Sequence, residues 1–554
     1  SAFLAKRALT SSRTAISTRN IVQIVGTAST CNNSSEHSSK GVFFGAIDQG
    51  TSSTRFVVFN DALNPVASHQ VKVNQRYEHP GWADMDPEEI LQSVNTCAQS
   101  ALDKAGVSPS QLAGVGVTNQ RESSIVWDRN TGEALAPCIL WFDDRTKPIC
   151  AKLTEELGGN PQVLSQESGL RINPYFSAFK LRWLLENDEK VKKAAEAGAA
   201  AFGTVESFLL WKLTDGKQHI TDCTNASRTM LMDLKSLDWS DKLIDSLLSG
   251  ISGDPDIRKM LPNKIVSNSE DYGTVQMEGP LKGAKLTGAI GDQQSALVGQ
   301  QCFDRGQMKN TFGTGQFLLL NTGKEMIMSD KGLLTTVGYK MGIDDPVTYA
   351  IEGSVAVSGV GIKWIIESLG FGENPEDIVN LASSVESTKG LYFVPAFNGI
   401  MAPHWKPDAR GIMIGLTNYH KKEHVCRALI EALCFQCRDV VEAMGVDPQL
   451  IKVDGGVSQS DFAMQILSNL TKRPVERPKN VETTALGAAI SASIGSGHFS
   501  GISELRESLP NLGKIDVRFE PNALADADFR YEQWGRAIER CIGWETHHVP
   551  PKKP

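Results

Sequence analysis

The stretch AIDQGTSSTRF at residues 46–56 decides how this chain folds. It follows GVFFG and precedes VVFN, so apolar residues flank a turn of small polar ones, which predicts two strands joined by a tight turn. Gly50 permits close backbone approach, and the hydroxyls beside it can surround phosphate. An ordinary hairpin turn would use the same residues. The turn residues that suit an anion are Thr51, Ser52, Ser53 and Arg55.

Three more glycine-rich turns follow, at 289–297, 310–318 and 453–462. Thr314 lies between two glycines of the turn at 310–318. The turn at 453–462 begins with VDGG and precedes a helical pattern whose N-terminus suits a nucleotide. The turn at 289–297 places Asp292 at a strand-to-helix junction, where a carboxylate can meet a bound hydroxyl or cap the helix. Phosphate-type loops in both halves predict two lobes that close over ATP.

The composition is that of a soluble globular protein. At 554 residues the chain is long enough for two large domains, with 41% hydrophobic and 22% charged residues. A net charge of −8 without a basic block in the folded region argues against nucleic acid, and no apolar run approaches the roughly 20 residues of a membrane span. The ten cysteines are scattered, and the one CxxC, Cys434–Cys437, lies in a helical pattern. We therefore expect buried thiols and a reducing compartment.

The N-terminus has the composition of an organelle transit peptide. Residues 1–35 hold four basic residues, twelve serines and threonines and no acid. We expect a flexible leader over 1–40 and either a mitochondrial or a cytoplasmic location.

Alternating strand and helix patterns over the rest of the chain predict an α/β architecture. We place one domain at 41–299, a second at 300–545 and a tail at 546–554. The clearest helical patterns are at 87–105, 175–187, 207–213, 359–369, 423–444 and 483–497, the last rich in small residues. The clearest strand patterns are at 112–118, 285–292, 316–323 and 391–399.

Several longer motifs resemble the FGGY family of carbohydrate kinases. They include TNQRESSIVWD, YFSAFKLRWLLEN, TDCTNASRTML and GDQQSALVGQ, and the resemblance covers about residues 43–545. It implies two actin-like (ribonuclease H-like) ATPase domains with an interdomain cleft. It also implies ATP-dependent phosphorylation of glycerol to sn-glycerol 3-phosphate, with Mg²⁺ near Asp48. We further expect a homo-oligomer, a dimer or a tetramer.

The resemblance also implies roles for individual residues. Asp292 is expected to take the proton of the attacking hydroxyl. The expected glycerol-binding residues are Arg121, Glu122, Trp141, Tyr175, Asp292, Gln293 and Phe317. The expected nucleotide-binding residues are Thr51, Ser52, Ser53, Arg55, Thr314, Gly359, Lys363, Gly456 and Ser460. Without the resemblance, Arg121–Glu122 would be interpreted as a surface ion pair and Trp141 as a core residue.

Two residues depart from the family pattern. Ser460 replaces a common Asn, which puts a contact on the adenine side in doubt, and Lys363 adds charge near the nucleotide. Three alternatives stay open: a family kinase for a pentulose, tetritol or sugar acid, an actin-like ATPase without small-molecule transfer, and an inactive scaffold. The bulky Trp141 and Phe317 favour a short substrate over the first alternative.

Overall fold

Two sheets that repeat one strand pattern organise the computed structural model, which describes residues 41–480, 482–523 and 526–545. The predicted leader and tail lie outside these residues. The strands, in chain order, are β1 (Phe43–Gln49), β2 (Ser53–Asn60), β3 (Pro65–Lys72), β4 (Asp84–Met85), β5 (Leu112–Asn119), β6 (Ser124–Asp128), β7 (Cys138–Ile139), β8 (Ala200–Thr204), β9 (Ile220–Asp222), β10 (Met232–Asp233), β11 (Asp238–Trp239), β12 (Lys264–Val266), β13 (Leu286–Gly291), β14 (Gln307–Phe312), β15 (Gln316–Gly323), β16 (Leu334–Tyr339), β17 (Thr348–Val355), β18 (Tyr392–Val394), β19 (Ile412–Ile414), β20 (Leu450–Gly455), β21 (Val475–Pro478) and β22 (Ile515–Phe519).

The helices, in the same order, are α1 (Pro87–Ala105), α2 (Lys147–Glu156), α3 (Ser165–Ser168), α4 (Ser177–Asn187), α5 (Glu189–Glu196), α6 (Val205–Leu213), α7 (Cys223–Ala226), α8 (Asp241–Leu248), α9 (Ile257–Met260), α10 (Asp292–Gly299), α11 (Gly359–Trp364), α12 (Pro375–Ser383), α13 (Lys422–Ala443), α14 (Asp461–Thr471), α15 (Thr483–Gly495), α16 (Ile502–Ser508) and α17 (Ala527–Cys541). We call residues 41–299 the first lobe and residues 300–545 the second lobe.

The first sheet has the order β13-β5-β1-β2-β3. Strands β1, β2 and β3 form an antiparallel meander, and β5 and β13 add in parallel beside β1. The predicted tight turn joins β1 to β2, where the Gly50 N–H donates to the Ser53 carbonyl at 2.9 Å.

The second sheet repeats this arrangement, with the order β16-β17-β15-β14-β20-β21-β22. Strands β14, β15 and β17 form the antiparallel meander, and β20 and β21 lie parallel beside β14. This duplicated pattern confirms the predicted α/β class with two sheet-based lobes. The predicted domain boundary falls between α10 and β14 and stays a prediction.

Local sequence signals fix several helix ends. Helix α1 begins after Asp86, whose carboxylate accepts from the Glu88 N–H, and Pro87 occupies the first helical position. It ends at Gly106, where φ is 64°, a conformation that glycine adopts without steric cost. The predicted helix over 87–105 is therefore confirmed at both ends.

Helix α15 belongs to the second lobe in sequence but packs on the sheet of the first. A Cβ added at Gly116 of β5 would lie 2.1 Å from the Ala488 carbonyl oxygen. A Cβ at Gly487 would lie 1.9 Å from the Ser295 carbonyl oxygen of α10. Close packing by this small-residue helix is confirmed, and the contact joins the two lobes backbone to backbone.

Two predicted elements differ from the structure. The strand predicted over 391–399 is limited to Tyr392–Val394, and the helix predicted over 359–369 is α-helical only to Trp364, with a π-helical turn over Ile365–Leu369. All cysteines in the described ranges are free and buried, which confirms the interpretation of the CxxC pair as core thiols. Within those ranges, no helix combines the length and apolarity that a membrane crossing requires.

Candidate active site

Three predicted nucleotide segments of the second lobe converge at the β14–β15 turn. The Gly359 N–H donates to the Gly313 carbonyl at 3.0 Å, and the Ser358 N–H donates to the Thr314 carbonyl at 2.9 Å. The Gly456 N–H donates to the Phe312 carbonyl at 3.1 Å. Thr314 itself is exposed at the tip of the turn. The loops that the sequence places far apart thus form one small-residue surface, as an anion site requires.

The phosphate-type turn of the first lobe is bound into its surroundings. Gln70 donates to the Ser53 hydroxyl at 2.7 Å, and Gln75 donates to the Ser52 hydroxyl at 3.3 Å. Arg55 donates to Gln70 at 2.8 Å and forms an ion pair with Glu482, just before α15. Its guanidinium is therefore held by an acid from the other lobe.

Aromatic side chains from both lobes face each other beside this turn. The Trp141 ring lies 5.6 Å from the Tyr175 ring and 5.6 Å from the Phe317 ring. The Trp141 indole N–H donates to the Thr51 hydroxyl at 2.9 Å. Trp141 is only partly buried, so the structure places it at the site rather than in the core.

Asp292 is the first residue of α10 and follows the capping residue Gly291, so it is not the cap itself. Its Oδ1 accepts from the Gln293 N–H at 2.7 Å and lies 3.3 Å from Arg121 Nε. Burial raises the pKa of Asp292, whereas the charges of Arg121 and Lys309 oppose that increase. The carboxylate is 24% exposed and so remains accessible to a ligand.

Lys309 is an ammonium that the sequence reasoning did not identify. It is fully buried on β14 and donates to the Gln293 side-chain oxygen and, at 3.0 Å, to the Thr311 hydroxyl. Burial lowers its pKa to about 8, although Asp454 and Asp292 favour its charged form. The available signal was a lysine in the interior of the strand QMKNTF, where a charged side chain needs polar partners.

Arg121 and Glu122 are both buried, which excludes the surface ion pair, and each is paired with a distant residue. Arg121 donates to Glu352 through Nη1 at 2.6 Å and through Nη2 at 2.9 Å. Glu122 accepts from Arg228 Nε at 2.6 Å, and Arg228 also donates to Glu352 at 3.1 Å. Arg121 and Glu122 themselves are 3.9 Å apart.

This four-residue buried ion cluster, Arg121, Glu122, Arg228 and Glu352, includes two residues that the sequence reasoning missed. Arg228 lies within the quoted motif TDCTNASRTML, and Glu352 lies in the apolar strand β17. A carboxylate in the middle of a buried strand needs charged partners, and that requirement was the signal for Glu352.

Asp48 fits a magnesium ligand. Burial raises its pKa to about 6; Arg55 opposes and Asp292 adds to that rise. A cation would relieve the repulsion between these two carboxylates. Within the described ranges no group of three or more His, Cys, Asp and Glu side chains converges. One or two carboxylates, with water and substrate phosphates, are the usual ligands of Mg²⁺ in such enzymes.

Two of the predicted nucleotide residues have other contacts. The Ser460 hydroxyl accepts from the Ala463 N–H at 3.2 Å and so caps α14. The Lys363 ammonium points to solvent, 67% exposed and 3.7 Å from Glu367. Their roles at the nucleotide stay predictions.

Two family models match this chain. The model of the FGGY family of carbohydrate kinases, N-terminal domain, matches residues 43–299, and that of the C-terminal domain matches residues 308–496. The chain belongs to the FGGY family of carbohydrate kinases, whose fold is actin-like.

Named relatives are similar over nearly their whole length. Glycerol kinase 3 of Streptomyces avermitilis is 44% identical, covering 91% of this chain and 99% of the relative. The glycerol kinase of Arabidopsis thaliana is 45% identical, covering 90% and 98%. Among solved structures, Plasmodium falciparum glycerol kinase with ADP superposes with a TM-score of 0.81 at 33% identity, covering 91% and 98%.

Proposed function

We propose that this protein transfers the γ-phosphoryl group of ATP to glycerol and forms sn-glycerol 3-phosphate. The observation that supports the proposal is that the Asp292 carboxylate lies 3.3 Å from Arg121 Nε, while the Arg121 guanidinium lies 6.0 Å from the Phe317 ring. The glycerol kinases that share 44 to 45% of its sequence support the same substrate pair.

The acceptor site suits a three-carbon polyol. Trp141 contacts Tyr175 and Phe317 with ring centroids 5.6 Å apart in each pair, and these rings supply apolar faces. The Arg121 guanidinium lies 6.0 Å from the Phe317 ring and its Nε lies 3.3 Å from Asp292, and these two charged groups supply the polar side. Polar groups on one side and apolar ones on the other match a molecule with hydroxyls on one edge and C–H bonds on the other. The bulky Trp141 and Phe317 favour a short acceptor over a pentulose or a sugar acid.

Phosphoryl transfer requires alignment and charge neutralisation more than covalent help. In the proposed reaction the Asp292 carboxylate accepts the proton of the terminal hydroxyl as its oxygen attacks the γ-phosphorus and the bond to ADP breaks. The turns at Thr51 and Thr314 hold the phosphates from opposite lobes. Closure of the lobes excludes water, which would otherwise accept the phosphoryl group.

Asp48 is the residue that would hold Mg²⁺, and Asp292 is a second carboxylate close enough to raise the pKa of Asp48. When bound, the ion supplies positive charge against the phosphate oxygens.

The test is ADP release by the purified protein with MgATP and one acceptor at a time: glycerol, erythritol, xylulose, gluconate or none. We expect release that depends on glycerol, with product identified as glycerol 3-phosphate. Equal ADP release in every tube would instead identify an ATPase. Release with only another acceptor would show that the protein phosphorylates that compound and not glycerol.

A further inference from the structure

The carboxylate of Glu352 connects the two lobes next to the candidate active site. Glu352 belongs to β17 of the second lobe, whereas its partners Arg121 and Arg228 belong to the first. The side chains of all three are at most 1% exposed. The Ser354 hydroxyl also donates to Glu352 Oε1, at 3.0 Å. Both carboxylate oxygens therefore accept hydrogen bonds from within the protein.

The contact fixes the orientation of Arg121. Its two terminal nitrogens face Glu352 at 2.6 and 2.9 Å, so a single nitrogen, Nε, faces Asp292 at 3.3 Å. This Nε is buried and has no hydrogen-bond partner among the described residues. The terminal nitrogens also donate to the Gln294 side chain at 3.2 Å and to the Tyr175 hydroxyl at 3.5 Å, but both of these partners are neutral. Without the charge of Glu352 the guanidinium would be drawn towards the Asp292 carboxylate, which the proposed reaction needs as a proton acceptor.

Stability alone does not explain a buried carboxylate in this strand. Taking charges out of water is costly, and apolar residues of similar volume often replace a buried ion cluster without loss of stability. Burial alone would raise the pKa of Glu352, but Arg121 and Arg228 lower it to about 2, so it remains a carboxylate. A permanent charge at this position serves to orient the two guanidinium groups.

We propose that Glu352 is a positioning residue of the acceptor site, which holds the terminal nitrogens of Arg121 away from Asp292 and leaves only Nε beside that carboxylate. The inference rests on the proposed glycerol phosphorylation. Because Glu352 and Phe317 both come from the second lobe, the acceptor site is complete only when both lobes contribute.

The experiment compares Glu352→Gln, which keeps the shape and removes the charge, with Glu352→Asp, which keeps the charge. Glu367→Gln is the matched control, since Glu367 lies in the same lobe with a side chain 63% exposed. We expect Glu352→Gln to lower kcat/KM for glycerol by about 100-fold, the cost of misplacing a reacting group by about an ångström. The KM for ATP should stay within about twofold, Glu352→Asp should recover about a tenth or more of wild-type activity, and Glu367→Gln should match wild type.

The proposal is overturned if Glu352→Gln changes kcat/KM for glycerol and the KM for ATP by equal factors. Wild-type kinetics in this variant would overturn it as well. If Glu352→Gln does not fold, Glu352→Asp is used in its place. Its glycerol KM is measured alone and in combination with Arg121→Lys. When Glu352 acts through Arg121, the double variant loses much less than the product of the two single losses. If the loss in the double variant equals the product of the two single losses, the positioning role of Glu352 is wrong.

Wild-type activity separates this test from that of the function. If the wild-type protein shows no glycerol-dependent ADP release, the proposed function fails. If it does, the Glu352 variants test the positioning role alone.

Discussion

Substitution of Gly116 by alanine tests the contact through which the lobes are joined. The added Cβ would lie 2.1 Å from the Ala488 carbonyl oxygen and 2.7 Å from the Ala488 carbonyl carbon. Ordinary van der Waals contact begins near 3.4 Å, so α15 must move away from β5 by more than an ångström. The obstructing atoms are backbone, and no side-chain rotation can relieve the overlap.

The expected cost is at the upper end for overpacking, about 3 kcal/mol. For a lobe of this size that corresponds to a fall in the unfolding temperature on the order of 6 to 12 °C, measured by differential scanning calorimetry. We also expect a lower kcat for glycerol-dependent ADP release, because α15 packs against α10, the helix that begins at Asp292.

Gly535→Ala is the matched control. Gly535 lies in α17, is exposed, and has no atom within 4 Å of an added Cβ. This substitution should be neutral or stabilise the protein by up to about 1 kcal/mol, the helix preference for alanine. The reasoning would be refuted if Gly116→Ala unfolded at the same temperature as Gly535→Ala and turned over like wild type.

Three further predictions concern single polar groups. Asp292→Asn should abolish glycerol-dependent ADP release while ATP still binds in a calorimetric titration, and an active variant would contradict the base assignment. Lys309→Met removes a charge that opposes the raised pKa of Asp292, so the acid limb of the kcat–pH profile should move to higher pH; an unmoved limb would separate Lys309 from the base. Burial lowers the pKa of His219 from 6.5 to about 4, so the unfolded chain binds more protons between those values and stability falls as pH falls through them. The wild type should lose about 2 kcal/mol in urea unfolding between pH 7.5 and pH 5 that His219→Gln does not lose, and parallel losses would refute this.

The sequence predicts those features that depend on neighbouring residues. The turn at Gly50, both ends of α1, the whole of β15 over Gln316–Gly323 and the close packing of α15 follow from local patterns of apolar, capping and small residues. The strand predicted over 391–399 is shorter because only Tyr392–Val394 finds a partner strand, β19.

The partners of Arg121 could not be predicted in this way. Its adjacent acid, Glu122, suggests a local pair, but Glu122 adopts a φ of 59° and its carboxylate meets Arg228 instead. Glu352 is 231 positions away from Arg121 in the sequence, and the two meet only because β17 of the second sheet faces the loop after β5. Such a pairing depends on how the lobes pack, which no local pattern encodes.

The hydrogen bonds of the site also explain why acceptor and phosphate are held in one frame. Trp141, a wall of the acceptor site, donates to Thr51 in the phosphate-type turn of the first lobe. Lys309 connects Gln293 to Thr311, on the strand that leads into the turn of Thr314. One aromatic side chain and one polar side chain expected at the acceptor, Trp141 and Gln293, are therefore linked to the turns proposed to hold phosphate. Since transfer depends on the alignment of the attacking oxygen with the phosphorus, a shift of either turn would also displace the acceptor.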